Sequence, residues 1–169
     1  MYIRCSERRP AIPAGFDPAA LFDLAALAVG DKIPRLTRTV TRTTVFIFNA
    51  SYYGTHRFHY DVEAARAEGF DDVVVTSNLI SSYFEQAVRR FTGDARYLRA
   101  LEERSLAPAV AGVTLSIEGT VTEVERRGDA TRFVCELTAT DADGRRISVG
   151  RAELDTGALD DTGALETGA

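Results

Sequence analysis

At 169 residues, 45% of them hydrophobic, the chain has the length and apolar content of one globular domain rather than of a disordered one. Its 25 acidic against 20 basic side chains give a formal charge of −5, which argues against a nucleic-acid or anionic-membrane partner. The longest apolar stretches fall far short of the roughly 20 residues of a bilayer span, and the N-terminus lacks the continuous apolar core of a secretory signal. Cys5 and Cys135 are isolated thiols without CxxC spacing, so no metal site, cofactor or disulfide framework is expected and the cytoplasm is the expected compartment.

In chain order, residues 1–28 read as an N-terminal arm and a short helix. Two early prolines and mixed charge make 1–15 irregular; Asp17 and Pro18 then offer an N-cap and a first helical position. Leu21, Phe22, Leu24, Ala25 and Leu27 would share one face of a helix over 17–29, stopped by Gly30. The segment IPRLTRTVTRTTVFIF (33–48) is rich in β-branched residues and alternates Thr with Arg, the pattern of a half-exposed strand. Helical character over 43–51 is an open alternative at its apolar end. YDVEAARAEGF (60–70) supplies Asp61 as an N-cap, Glu63 in the first turn and Gly69 as a stop, which predicts a two-turn helix.

The strongest periodicity lies in TSNLISSYFEQAVRRF (76–91). Leu79, Ile80, Tyr83, Phe84, Ala87, Val88 and Phe91 form one wide apolar stripe at helical spacing, and Thr76, Ser77 or Asn78 can cap it. A helix this apolar must lie against something large. Residues 97–108 read as a connection entering an edge strand, and 111–125, 131–140 and 145–154 alternate with period two, separated by the turn signals RRGD and DADG. Cys135, in register with Phe133 and Leu137, reads as a small core residue. The tail, 155–169, repeats DTGAL and reads as a disordered acidic extension. Consecutive antiparallel strands wrapped on one long buried helix predict an α+β fold.

Both histidines sit in GTHRFHYD (54–61). Imidazole, with a reference pKa near 6.5, suits proton transfer at neutral pH, and Tyr52 or Tyr53 beside it could orient a water. A metal clip lacks further ligands. Arg57 can hold a phosphate or simply face solvent, and Ser77 and Asn78 can cap the helix or present N–H donors.

Taken together, HYDVEAARAEGF, VVVTSNL and the hairpin-linked strands resemble the MaoC-like hydratase/dehydratase family of hotdog folds over 29–154. The HRFHYD stretch is especially similar to the mesaconyl-CoA-type hydratase branch. The resemblance implies a hydro-lyase that adds water to, or removes it from, a 2-enoyl/3-hydroxyacyl thioester of CoA or acyl carrier protein. His59 matches the family histidine. The Asp of the family's D-x-N-P-x-H loop falls on Gly54, which leaves His56 or Tyr53 as the expected second catalytic group beside His59. Gly54, Arg57, Ser77 and Asn78 are expected at the substrate, with TSNL in place of the family's HGML supplying an N–H to the thioester oxygen. Family members pair, so a homodimer or higher homo-oligomer is expected. The alternative implied by Gly54 is a non-catalytic, thioester-binding half of a paired hotdog assembly.

Overall fold

The β-branched segment after Gly30 is strand only as far as Thr39. The structure, a computed structural model, describes residues 23, 24 and 26–157. Within it β1 spans Lys32–Thr39 and a helix, α1, spans Arg42–Ser51. The strand expected over 33–48 is thus cut short and the helical alternative over 43–51 is the one realised: Val40 N–H bonds Val113 O at 2.8 Å, and Thr41 then turns the chain by accepting from Thr44 N–H at 3.1 Å. Val45 and Asn49, four apart, are the buried positions of α1. That helical spacing overrides the strand propensity of TTVFIF, and Phe46 and Ile47 are left exposed. Of the helix expected over 17–29, the described residues run in turns and irregular chain; the others, like 1–16 and 158–169, lie outside the described residues.

The other helices follow their sequence signals. In α2 (Val62–Ala67) the Asp61 carboxylate accepts from Glu63 and Ala64 N–H, and Gly69 adopts the left-handed φ of +90° just past its end. α3 (Ser77–Thr92) buries Leu79, Ile80, Tyr83, Phe84, Ala87, Val88 and Phe91 and closes on Gly93 at φ +76°.

Four more strands follow α3: β2 (Leu98–Ser105), β3 (Thr114–Arg127), β4 (Ala130–Thr140) and β5 (Arg146–Asp155). The sheet is antiparallel throughout, in the order β1-β3-β4-β5-β2. Its inner face presents Leu36, Leu115, Ile117, Phe133, Cys135, Leu137, Ile147 and Leu154 to the stripe of α3. Each large apolar side chain so buried contributes about 1.5–3 kcal/mol. The packing is tight at Gly150, where a Cβ would come within 2.8 Å of the Phe84 ring. One long helix wrapped by an antiparallel sheet is the α+β hotdog arrangement.

Candidate active site

Between α1 and α3 the chain makes a loop that the core grips from behind. Gly54 N–H returns to Asn49 O at 2.9 Å, and Arg57–His59 form a single 3₁₀ turn. Segment 73–75 then threads between this turn and residues 109–111. Val74 N–H bonds Phe58 O at 2.9 Å, Val75 N–H bonds Ala109 O at 2.8 Å, and Ala111 N–H bonds Val73 O at 2.9 Å. The same segment holds the histidine: His59 Nδ1 lies 2.6 Å from Val74 O. A carbonyl can only accept, so Nδ1 carries the proton and the neutral ring keeps its basic lone pair on Nε2. Nε2 has no hydrogen-bond partner among the described residues.

His59 lines a cleft of about 460 Å³ together with Phe58, Thr76, Ser77, Ile80 and the strand-end segment 105–109. That volume is in the range of small-molecule sites. Ser77 opens α3, whose first N–H groups have no intrahelical acceptor, and the Thr76 side chain makes no capping bond to them. The cleft therefore combines a basic ring nitrogen, an apolar wall and a helix N-terminus with backbone donors to offer.

The remaining residues singled out in the sequence do not line this cleft. Tyr53 was expected beside His59; it sits at φ +61° with its side chain 90% exposed. His56 is exposed and packs edge-on against Phe58, with ring centroids 4.2 Å apart and 6.3 Å between the two imidazoles. Arg57 is engaged by Asp61, and the guanidinium holds that carboxyl below its ordinary pKa range. Asn78 is exposed on the first turn of α3. Gly54 lies beneath Asn49 and Tyr52, and a Cβ there would stand 2.7 Å from Asn49 Oδ1 and 3.1 Å from the Tyr52 ring.

Sequence reasoning missed a polar chain behind the cleft. Tyr52 Oη donates to Asn49 Oδ1 at 2.5 Å and lies 3.0 Å from Thr76 Oγ1. Asn49 is 1% exposed, and its Nδ2 has no partner. An Asn on the buried stripe of α1 was the available signal, hidden while 43–51 stood open between strand and helix. Among the described residues no group of three or more His, Cys, Asp or Glu side chains is placed to hold a metal ion. No helix among them is long and apolar enough to cross a membrane.

The model of the FAS1-like dehydratase domain region matches residues 27–149. The chain belongs to this family. Solved structures agree on the fold. The (R)-hydratase from A. caviae involved in PHA biosynthesis is 21% identical over 76% of this chain and 96% of its own, with a TM-score of 0.68. A MaoC-like dehydratase from Rhodospirillum rubrum is 21% identical over 78% and 94%, also at 0.68. The C-terminally truncated HadBC (3R-hydroxyacyl-ACP dehydratase) complex from Mycobacterium tuberculosis is 20% identical over 75% and 96%, at 0.62. No curated protein matches the chain.

Proposed function

We propose that this protein is a hydro-lyase that interconverts a 2-enoyl thioester and its 3-hydroxyacyl partner, with His59 as general base and acid. The observation that carries the reading is the fixed His59 ring in one cleft with the start of α3. In the hydration direction, Nε2 takes a proton from water as its oxygen bonds to C3. The π pair moves towards C2, and the thioester oxygen gathers negative charge. N–H groups of Ser77 and its neighbour meet that charge, aligned with the helix dipole. His59 then returns the proton to C2, so water is added across the double bond with none left over.

The HRFHYD stretch supports a finer placement near the mesaconyl-CoA-type branch, with a short or branched acyl group on CoA or acyl carrier protein. The same proposal puts the enzyme in the cytoplasm as a homodimer. β1 and β2 are the outer strands of the sheet, and strand edges are normally paired or covered. β2 ends at Ser105, in the cleft wall, so a second copy paired there would stand at the site. Size-exclusion mass at or above twice that of the chain is expected; a stable monomer contradicts the pairing.

The direct test is to incubate the purified protein with crotonyl-, mesaconyl- and itaconyl-CoA and follow the enoyl absorbance. Loss of absorbance with at least one is expected, and none with any of them opposes the reading. A second reading is favoured by Gly54, which leaves the family's Asp position without a side chain. In it the chain binds thioesters as the non-catalytic half of a paired assembly. It requires co-purification with a second hotdog chain bearing an intact Asp/His loop, and its absence counts against this alternative.

A further inference from the structure

A hydroxyl has one hydrogen to give. Tyr52 gives its own to Asn49 Oδ1, so across the 3.0 Å contact with Thr76 the phenol oxygen accepts and Thr76 donates. The Thr76 oxygen is left with lone pairs and no hydrogen for another partner. Thr76 is the N-cap residue of α3, the position at which a threonine ordinarily accepts from the first turn, yet its side chain makes no such bond. It is 5% exposed and lines the cleft that holds His59. Behind it Asn49 is buried with an unpartnered Nδ2, an arrangement that stability alone disfavours. Asn49 Oδ1 and the Tyr52 ring fill the space a side chain at Gly54 would take. A polar chain of three residues thus stands where a loop acid would stand and ends on the cleft wall.

We propose that Thr76, oriented through Tyr52 by Asn49, is the acceptor for the hydroxyl at C3 of a 3-hydroxyacyl thioester and for the water that becomes it. This rests on the thioester reading of the cleft. A water there has two hydrogens: one goes to His59 Nε2 and the other is held by Thr76 Oγ1. Thr76 is a specificity residue that touches the ligand; Tyr52 and Asn49 are positioning residues.

The test is calorimetric binding of butyryl-CoA and of each enantiomer of 3-hydroxybutyryl-CoA to the full chain and to Thr76→Val, Thr76→Ser and Tyr52→Phe. The wild type should bind one hydroxy enantiomer about tenfold more tightly than butyryl-CoA. Thr76→Val should bring that ratio to about one while butyryl-CoA affinity stays within about twofold, because only the hydroxyl's acceptor is gone. Thr76→Ser should keep the preference. Tyr52 is 40% exposed, so Tyr52→Phe removes the phenol oxygen at little packing cost and should shrink the ratio to about threefold. General damage would weaken all ligands alike. No preference in the wild type, or a preference unchanged in Thr76→Val, overturns the proposal even if enoyl-CoA is turned over. A preference lost in Thr76→Val supports it even if no turnover is seen, in which case only the hydro-lyase reading falls. Binding of none of the three thioesters overturns both.

Discussion

One methyl group at Gly54 should loosen the protein. In Gly54→Ala the new Cβ would stand 2.7 Å from Asn49 Oδ1 and 3.1 Å from two carbons of the Tyr52 ring. Asn49 cannot swing clear cheaply, being 1% exposed and bonded to Tyr52 Oη. Nor can the backbone retreat freely, because Gly54 N–H bonds Asn49 O at 2.9 Å. Overpacking of this kind costs about 1–3 kcal/mol, and the lower entropy of the unfolded chain returns about 0.4–1 kcal/mol. The net loss centres on about 1.3 kcal/mol, or about 3–5 °C in Tm for a domain of this size. Urea unfolding of Gly54→Ala, Asn49→Ala and the double variant measures it. Trimming Asn49 opens the space the methyl needs, so the double variant should be more stable than the sum of the singles by at least about 0.5 kcal/mol. A Gly54→Ala protein as stable as the wild type, or more so, would refute the claim that this space is filled. Gly54→Asp meets the same wall with a larger side chain and should be less stable still.

Burial pushes the Cys135 thiol up to about 12, so it stays protonated and shielded in the folded protein. A thiol reagent at pH 8 should label Cys135 only after denaturant is added; fast labelling of native protein at that position would contradict its place in the core. Hydrogen bonds from Arg42, Arg57 and Arg96 hold the carboxyls of Asp72, Asp61 and Asp94, respectively, below their ordinary range. Groups depressed in the folded state stabilise it above their unfolded pKa, near 4, and that share is lost as pH falls through the lower folded values. The urea midpoint should therefore hold from pH 7 to about 5 and drop below about 4. Asp72→Asn should flatten that drop by removing the carboxylate that takes three bonds from Arg42. A midpoint unchanged to pH 3 would count against these pairs.

Periodicity made the sheet and the long helix legible because one face of each is buried and the other is not. Phe133, Cys135 and Leu137 all turn inward, and every apolar residue of the α3 stripe is buried. The strand β2 was read less firmly because its burial alternates weakly along an outer edge, as in Leu98–Ser105. The ambiguous stretch was TTVFIF: its residues favour strand, while the i, i+4 burial of Val45 and Asn49 makes it helix. With 43–51 open between strand and helix, the site's second part stayed hidden. Asn49 acquires meaning only when α1 places it one turn before Tyr52 and against Gly54. Thr76 was legible as a cap by position, but its partner lies 24 residues away, and single-sequence patterns carry no such pairing. His59 was found by its loop, whereas its tautomer depends on a carbonyl 15 residues on.

The proposed hydration depends most on the Val74-anchored imidazole moving a proton in the cleft. Its most direct test is the kcat/KM of His59→Ala against the wild type on whichever enoyl-CoA the wild type hydrates, with folding verified by the same urea curve. A fall of at least about a hundredfold is expected, mainly in kcat, the scale on which removal of a general acid–base acts. Hydration by the Ala variant at the wild-type rate would contradict it.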